Sequence, residues 1–224
     1  MSTTMAVAPT AEREAACYAN QFRQRRLKRL LTIVDEIIAT HGACRILDVG
    51  GWVDYWRFLE PLWRDRPIHI TMVNLVQVPV PDDRFSSFVG DARDLSQLAD
   101  ASFDLTHSNS VIEHVGRWDD KCKMAREIRR LAPRYFVQTP NYWFPVEPHL
   151  RTPFIHWLPV PWRVAIVRRR ACGYFPRAQS YGEAREILDD AQLLDARALA
   201  LLFPDAVIER ERLAGLTKSL IAIR

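Results

Sequence analysis

The stretch CRILDVGGWVD (residues 44–54) decides the fold of this 224-residue chain. Residues 44–50 form a short apolar run of the kind that becomes a buried strand. The segment GGWVD (50–54) is then a tight turn, and residues 54–65 show the spacing of apolar side chains that predicts a helix. A buried strand that passes at once into a helix predicts the first half of a β-α-β unit.

The same alternation continues on both sides of this stretch. One amphipathic helix is predicted before it, over residues 12–40, and another over residues 117–132, with acidic residues in its first turn and basic residues near its end. Further strands are predicted over residues 68–74, 85–90, 103–109 and 134–139. Strands and helices that alternate in this way favour a parallel sheet with helices on both faces.

The C-terminal part of the chain breaks this alternation. Residues 182–202 carry helical patterns, and two short strands follow over residues 206–213 and 217–224, joined by a turn at residues 214–216. So short a link cannot carry a parallel crossover, and these strands are therefore predicted to pair antiparallel. The predicted fold class is α/β, with a mostly parallel seven-stranded sheet that ends in an antiparallel C-terminal hairpin.

Composition limits the domain organisation. Hydrophobic residues make up 48% of the chain and charged residues 26%, an ordinary globular balance, and the length suits one α/β domain. We expect a disordered N-terminus over residues 1–10 and a single domain over residues 11–224. Residues 141–162 contain five prolines and many aromatic residues, which exclude a central strand. Because a long loop in a compact domain is usually functional, residues 141–180 are interpreted as a loop or cap beside the functional site.

Cysteine usage and hydropathy favour a cytoplasmic protein. The four cysteines, Cys17, Cys44, Cys122 and Cys172, are widely spaced, with no CxxC pair and no Cys/His cluster. They are predicted to be reduced thiols, and no metal site is predicted. The N-terminus lacks the basic region of a signal peptide, and no segment approaches the ~20 apolar residues of a membrane span.

Basic residues are clustered in a chain whose net charge is +4. One cluster comprises Arg23, Arg25, Arg26, Lys28 and Arg29, and the other comprises Arg163, Arg168, Arg169 and Arg170. Such clusters can meet nucleic acid, anionic lipid or a phosphorylated substrate, but a solvated helix face is the commoner explanation and is the one expected here.

Polar residues and glycines collect where the predicted strands end. They are Asp48, Gly50 and Gly51 after strand one, Asn74 after strand two, Asp91 in GDARDL (90–95) after strand three, and SNSVIEHV (108–115) after strand four. Asn74 follows the Gly50–Gly51 turn by about twenty residues, the separation at which nucleoside-binding folds place a ribose partner. The carboxylate of Asp91 can accept a hydrogen bond from an adenine amino group. Since ligands of open α/β sheets bind at the carboxyl ends of strands, these residues are predicted to form a binding site.

Four segments occur together in an informative order: ILDVGG (46–51), GDA (90–92), FDLTHSNSVIEHV (103–115) and the C-terminal hairpin. Over residues 40–224 the chain thereby resembles the class I S-adenosylmethionine-dependent methyltransferases. It is most similar to the broad group whose fourth strand ends in the SNSVIEHV pattern. The resemblance implies an enzyme with a Rossmann-like, doubly wound fold and S-adenosylmethionine as its cofactor.

The resemblance also assigns roles to residues. Asp48, Gly50 and Gly51 would line the methionine end of the cofactor, and Asn109 and Ser110 would contact the same methionyl part through their backbone. Asn74 would face the ribose hydroxyls. Leu75 would lie against the adenine, and Asp91 would hold the adenine amino group beside Ala92.

The chain departs from the family pattern at two places. Trp52 and Asp54 replace the second and third glycines of the usual DxGxGxG loop, so the bulky Trp52 must point away from the cofactor or pack over it. Asn74 replaces the usual acidic residue and offers only one oxygen acceptor to the ribose. We therefore predict weaker cofactor binding than an aspartate or glutamate at position 74 would give.

The catalytic candidates follow from the chemistry of methyl transfer. A hydroxyl acceptor must be aligned with the methyl group and must lose its proton to a base. The main candidates are His114, Glu147 and His149, and His156 is the weakest candidate. His114 is the first choice because it follows strand four at the reactive end of the cofactor. Glu147 and His149 lie two residues apart and could shape the acceptor pocket. Each also has a structural alternative, as a satisfied histidine or as a pair that anchors the loop.

Three functions stay open from the sequence. The first is methyl transfer to a small-molecule acceptor, by O-methylation, with the acceptor between SNSVIEHV and residues 141–162. The second is a protein or RNA methyltransferase, which the basic helix favours weakly; no recognition domain is evident, so no nucleic-acid partner is expected. The third is a non-catalytic cofactor-binding module, which the altered glycine loop keeps open. The oligomeric state is not indicated.

Other patterns bear on partners and rival functions. The aromatic residues of segment 141–162 lie near Arg168, Arg169 and Arg170, a combination also typical of peripheral contact with a membrane surface, although the rings could simply cover the edge of the sheet. TPNYW (139–143) superficially resembles the NPPY loop of amino-methylating nucleic-acid enzymes. That loop follows strand four, whereas TPNYW follows strand five, so the match is interpreted as coincidence. A nicotinamide dehydrogenase would need GxGxxG after strand one, which the chain lacks.

Overall fold

The computed structural model of the protein describes residues 21–224. The N-terminus predicted to be disordered (1–10), the first residues of the helix predicted over 12–40, and Cys17 lie outside the described residues. Within the described range, Cys44, Cys122 and Cys172 are free thiols, as predicted.

A seven-stranded sheet forms the centre of the described chain. Its strands are β1 (Cys44–Val49), β2 (Ile68–Asn74), β3 (Phe85–Val89), β4 (Leu105–Asn109), β5 (Arg134–Pro140), β8 (Val207–Leu213) and β9 (Leu216–Ile223), and a separate small hairpin consists of β6 (Val146–Glu147) and β7 (Thr152–Pro153). The sheet order is β3-β2-β1-β4-β5-β9-β8. Strands β1 to β5 are parallel, and β9 pairs antiparallel with both β5 and β8. The predicted fold class is confirmed.

The strand order fixes where a ligand can bind. The chain runs outward from β1 to β2 and β3, then crosses back to place β4 on the other side of β1. This reversal opens a crevice at the carboxyl ends of β1 and β4, the usual ligand position in doubly wound sheets.

Helices cover both faces of the sheet. They are α1 (Gln21–His41), α2 (Val53–Phe58), α3 (Trp118–Leu131), α4 (Val160–Arg169), α5 (Tyr181–Asp189) and α6 (Ala196–Leu202), with 3-10 turns at Glu60–Leu62, Ile112–His114 and Ile155–Trp157. On one face, Leu27 and Leu30 of α1 pack with Trp56 into the cluster that contains Ile46 of β1. On the other face, α3 and α6 pack against Leu47 and its neighbours.

Two helices differ from their predicted extents for local reasons. The helix predicted over 54–65 ends at Phe58, and Pro61 lies in the 3-10 turn that follows, because proline cannot continue the hydrogen bonding of an α-helix. The helical pattern over 182–202 belongs to two helices. Ser180 caps the first by accepting a hydrogen bond from the Glu183 N–H (3.1 Å), and Asp195 caps the second through the Ala198 N–H (2.8 Å).

The segment between β5 and α6 has a small core of its own. It contains the β6–β7 hairpin, α4 and α5, and its buried residues include Leu150, Ile155, Val164, Val167 and Ile187. Helix α4 begins inside the proline-rich stretch, because Pro161 lies in the first turn, where a missing N–H costs no helical hydrogen bond. The segment is therefore more regular than a loop with short helical pieces.

The C-terminal hairpin turns within two residues. Ala214 and Gly215 both have positive φ (49° and 82°), the backbone conformation of the tight turns whose twist suits antiparallel strands. Strand β9 therefore begins at Leu216, inside the turn predicted over 214–216. Across residues 21–224, every helix is too short or too polar to cross a lipid bilayer.

Candidate active site

Asp48 lies at the carboxyl end of β1 and is 1% exposed. Its Oδ2 accepts a hydrogen bond from the Trp56 indole (2.7 Å), and its Oδ1 accepts one from Nδ1 of His107 (2.7 Å). The His107 ring is itself stacked between Tyr55 and Phe136. Because protein donors engage both oxygens, Asp48 can hold the turn after β1 but offers a ligand little free hydrogen-bonding capacity.

Gly50 and Gly51 form that turn. Gly50 has φ +74°, and a Cβ there would lie 2.6 Å from a methyl group of Val111. A Cβ on Gly51 would lie 1.8 Å from Oδ2 of Asp48. Neither position accepts a side chain, so the backbone of the turn is bare and a ligand can approach it closely. Trp52, 47% exposed, stands just before α2.

Asn74 ends β2, as predicted, and its side chain is already bonded within the chain. Its Oδ1 accepts a hydrogen bond from the Leu75 N–H (2.9 Å), and its Nδ2 donates to the Gly51 carbonyl (3.4 Å). A ribose hydroxyl would have to compete with Leu75 for that oxygen. The Leu75 side chain is 71% exposed at the sheet edge, where a flat ring could cover it.

Asp91 follows β3 and forms an ion pair with Arg93. The two side chains approach to 2.6 Å, and the hydrogen bonds from Arg93 hold the pKa of Asp91 below its usual range. Asp91 is therefore an ionised acceptor at this edge. Ala92 packs partly buried against the cluster beneath.

Asn109 and Ser110 end β4, and an arginine from α1 reaches them. Arg26, 8% exposed, donates through Nη1 to Oδ1 of Asn109 (2.8 Å) and lies 3.4 Å from the Glu211 carboxylate. Ser110 has φ +57° and donates through Oγ to Gln138 (2.9 Å). The expectation that the whole basic cluster of α1 is solvated is wrong for Arg26, because its position on α1 faces the sheet.

His114 and Glu113 occupy the 3-10 turn after β4. Nδ1 of His114 donates to the Asp190 carbonyl (3.0 Å) and lies 3.3 Å from the Asp190 carboxylate. Partial desolvation lowers the pKa of His114, but the interaction with the Asp190 carboxylate and the charge of Glu113 outweigh it, so the pKa is raised. Glu113 is buried, and its Oε2 accepts a hydrogen bond from Thr139 (2.9 Å). Burial raises the pKa of Glu113.

Glu147 and His149 form a hydrogen-bonded pair across the turn of the β6–β7 hairpin. Nδ1 of His149 donates to Oε1 of Glu147 (2.7 Å), while Oε2 accepts a hydrogen bond from the Leu150 N–H. The His149 ring meets the edge of the His114 ring, with centroids 4.7 Å apart and planes at 83°. The structure therefore places the three predicted catalytic candidates in one cluster. His156 is separate and bonds to the Tyr142 carbonyl (2.8 Å).

A cavity of about 310 Å³ adjoins this cluster. Its walls come from the hairpin, from Arg163 of α4 and from the end of α5, and they include Tyr142, Glu147, His149, His156, Asp189, Asp190 and Gln192. The cavity is tied to β4 through the Gln192 N–H, which donates to the Glu113 carbonyl (2.8 Å). It therefore lies on the carboxyl side of the sheet, together with the predicted cofactor residues.

Several residues of the site were not singled out from the sequence. Arg26, Trp56, His107 and Asp190 all contact predicted site residues, and each comes from a different element or loop. The contacts of Arg26, His107 and Asp190 join residues that are far apart in the chain, so no local pattern marks them. Trp56 lies eight residues from Asp48, and no pattern in the sequence links the two. Glu113 carries one signal in the sequence, because it is the acidic residue next to His114 in the segment that follows β4.

The comparisons with known proteins agree with this geometry. Residues 66–134, from just before β2 to the start of β5, match the family model described as "Methyltransferase domain". This match is consistent with a class I S-adenosylmethionine-dependent methyltransferase. No curated protein sequence matches the chain.

Solved structures of other proteins have a similar fold. A 1,6-didemethyltoxoflavin-N1-methyltransferase from Burkholderia thailandensis, with 1,6-didemethyltoxoflavin and S-adenosylhomocysteine bound, is similar at a TM-score of 0.50 and 16% identity, over 97% of this chain and 90% of that chain. A methyltransferase from Methanosarcina mazei has a TM-score of 0.48 and 11% identity, over 81% and 91% of the two chains.

The [4+2]-cyclase SpnF is also similar, with a TM-score of 0.40 and 22% identity over 54% of this chain. The matched part spans only 49% of the cyclase. At these identities a likeness concerns the fold alone, so the reaction and the acceptor have to be inferred from the chain's own site.

Proposed function

We propose that this methyltransferase transfers a methyl group from S-adenosylmethionine to a hydroxyl group of a small molecule, and that residues 141–180 form a cap over this acceptor. The observation that carries the proposal is the cavity of about 310 Å³, which has the Glu147–His149 pair in its wall. Ligand pockets for small molecules begin at about 300 Å³, so the volume suits a compact acceptor. The lining is polar, which favours an acceptor with several polar groups.

The residues at the strand ends fit the chemistry of the cofactor. The bare backbone of Gly50 and Gly51 allows close approach, and the buried guanidinium of Arg26 suits the carboxylate of a methionyl group. Backbone groups of Asn109 and Ser110 would contact the same end. When bound, the cofactor supplies a methyl group that is already activated on a sulfonium.

The other end of the cofactor would meet β2 and β3. Asn74 would face the ribose, Leu75 would cover the adenine, and Asp91 would accept a hydrogen bond from its amino group, with Ala92 beneath. Asp48 would act indirectly, because its oxygens are held by Trp56 and His107.

His149 is the favoured base for the acceptor hydroxyl. It lines the cavity, and its Nδ1 hydrogen is directed to Glu147, so Nε2 carries the lone pair that can take the proton. Glu147 would fix the ring and stabilise its charged form, as a carboxylate does for a histidine base. His114 packs edge-on against His149 and would position it, rather than serve as the base itself.

The test is transfer of labelled methyl groups from S-adenosylmethionine into fractions of a cell extract. We expect label in a compound of low molecular mass, as a methyl ether that resists mild alkali and releases the label as methyl iodide in hot hydriodic acid. His149→Ala should lower the rate by about 100-fold or more, since general base catalysis typically contributes that much, with cofactor affinity unchanged. His41→Ala, an exposed histidine at the end of α1, is the matched control and should behave like wild type. Label found only in protein or RNA would overturn the proposal.

A second surface feature favours a membrane as a partner. Trp143, Phe154, Trp157 and Trp162 are exposed large aromatic residues on the segment between β5 and α5. Rings of Trp143, Phe154 and Trp157 lie within 6.2 Å of a neighbour in this group, and Arg168, Arg169 and Arg170 are exposed at the end of α4. Aromatic residues beside basic ones suit the interface of an anionic bilayer. We propose peripheral contact with such a surface through this aromatic-basic face.

A further inference from the structure

The cluster beside the cavity has the composition of a metal site. Glu113, His114 and His149 each offer a ligand atom, and these atoms all lie within 4.8 Å of one another. The sequence predicts no metal site, because His149 is distant along the chain from the other two residues. The fold brings them together where the β6–β7 hairpin packs over the 3-10 turn after β4.

Hydrogen bonds prepare both histidines to bind an ion. Nδ1 of His149 donates to the Glu147 carboxylate (2.7 Å), and Nδ1 of His114 donates to the Asp190 carbonyl (3.0 Å). Since each Nδ1 is a donor, the free lone pair of each neutral ring is on Nε2. Metal-binding histidines are usually held in this way, by a carboxylate or carbonyl on the nitrogen that does not touch the metal.

A second observation, independent of the two histidines, comes from the buried carboxylate of Glu113. The side chain is 1% exposed, and Oε2 is bonded to Thr139, but Oε1 is buried with no hydrogen-bond partner. The buried ammonium of Lys121 is bonded to the Gly116 carbonyl instead. A buried carboxylate oxygen without a donor is costly, and a cation bound to it would remove that cost.

We propose that Glu113, His114 and His149 bind one divalent first-row transition ion beside the acceptor cavity. Two imidazoles and one carboxylate suit Mn²⁺, Fe²⁺, Co²⁺ or Zn²⁺, whereas Mg²⁺ and Ca²⁺ prefer oxygen ligands throughout. Three protein ligands leave coordination positions open, as in catalytic rather than structural sites. An oxygen of the acceptor can occupy one of these open coordination positions, because His149 and Asp190 line the cavity.

The role of the ion in methyl transfer rests on the proposed function. An ion that binds the acceptor hydroxyl lowers its pKa and aligns its oxygen. With the ion bound, Nε2 of His149 would be a ligand and no longer the base, so the ion would replace His149 in activating the hydroxyl, and the proton would pass to solvent water in the cavity. The binding of the ion itself needs neither cofactor nor acceptor, and it can therefore be tested alone.

The experiment is calorimetric titration of chelator-treated full-length protein with MnCl₂ and with ZnCl₂, in the absence of S-adenosylmethionine. Wild type should bind one ion per chain. Glu113→Gln, which keeps the shape of the side chain, and His149→Ala should weaken binding by about 100-fold, since loss of even an outer-shell partner costs 10- to 100-fold. His41→Ala controls for adventitious binding at surface histidines. Cobalt-loaded wild type should show visible absorption bands that Glu113→Gln alters.

Folding of each variant is checked by its thermal unfolding. A bound ion should raise the melting temperature of wild type and leave that of Glu113→Gln unchanged. No binding to wild type, or equal binding to wild type and a folded Glu113→Gln variant, would overturn the ion site. Ion binding without methyl transfer would support the site while contradicting the proposed function, so the two failures are distinguishable.

Discussion

At the scale of the single residue, Asp48 holds the glycine turn of the candidate site in place. Its carboxylate is buried and accepts hydrogen bonds from Trp56 and His107, and it lies directly beneath Gly51. The residue that introduces the family's glycine loop thus acts in this chain as the anchor of that loop. It stabilises the fold by accepting the hydrogen bonds of these two buried donors.

Replacement of Asp48 by alanine should destabilise the protein strongly. Two buried donors would lose their acceptor, at about 1–3 kcal/mol each, so we expect the free energy of unfolding to fall by about 3 kcal/mol. Urea denaturation at neutral pH measures this. Asp54→Ala, at an exposed position in the first turn of α2, is the matched control and should change little. Equal stability of the two variants would contradict the anchoring role.

Replacement of Asn74 by aspartate should increase the affinity for the cofactor. Its single side-chain oxygen already accepts the Leu75 N–H, whereas an aspartate would keep that bond and offer a second oxygen to the ribose. Asn74→Asp should therefore bind S-adenosylmethionine more tightly, by about 10-fold, which corresponds to about one good hydrogen bond. Titration calorimetry decides the matter, and an unchanged or weaker affinity would refute the explanation.

At the scale of elements, Asp205 lies in the loop between α6 and β8 and connects β5, β9 and α3. It accepts hydrogen bonds from Tyr135 of β5 (2.7 Å) and Arg224 at the end of β9 (2.8 Å), and its ion pair with Arg129 of α3 spans 3.0 Å. Burial raises the pKa of Asp205, but these donors outweigh it and the pKa is lowered. The carboxylate therefore holds the second face of the sheet to its helix.

This lowered pKa predicts a pH-dependent effect of Asp205→Asn. A depressed pKa contributes stability above the unfolded value, about 3.9, and that stability is lost as the pH falls through the folded value. Because the group is partly solvated, we expect the variant to be less stable by about 1 kcal/mol at pH 7 and equal to wild type in strong acid. Urea unfolding from pH 7 to pH 3 measures the difference. A constant difference across this range would contradict the prediction.

Elements are also the scale at which the sequence was most informative. The strands over 68–74 and 85–90 were predicted almost to the residue, because burial imposes a local pattern of apolar side chains. The C-terminal hairpin followed from the length of its link alone. The early end of α2 follows from Pro61, a signal that was present in the sequence and was outweighed by the apolar spacing.

The side-chain contacts of the site could not be predicted in this way. The bond from Arg26 to Asn109 and the contact of His114 with His149 join segments that meet only after the sheet has formed. Local periodicity carries no information about such pairs. The proline-rich segment shows the same limit, since its own core arises from packing of α4 against α5 and not from any repeated pattern.

At the scale of the whole molecule, the aromatic-basic face and the cavity belong to the same segment between β5 and α6. Binding of the face to an anionic bilayer should therefore be detectable by co-sedimentation with phosphatidylserine-containing vesicles at low salt. Trp162→Ala, which removes a side chain that is 66% exposed, should reduce the bound fraction, and high salt should reduce it further. Trp118→Ala, at a half-exposed tryptophan on α3, is the control. Failure of wild type to sediment with the vesicles would dismiss the membrane contact.

In the proposed function one cofactor lies across the ends of β1 to β4, with Arg26 of α1 at its methionine end. Calorimetric titration of the full-length chain with S-adenosylmethionine tests this most directly. We predict one molecule bound per chain, with affinity reduced about 10-fold or more by Arg26→Ala, which removes a charged partner of a carboxylate, and unchanged by Arg25→Ala at the exposed neighbouring position. No binding by the folded wild-type chain would contradict a methyltransferase site at this sheet edge.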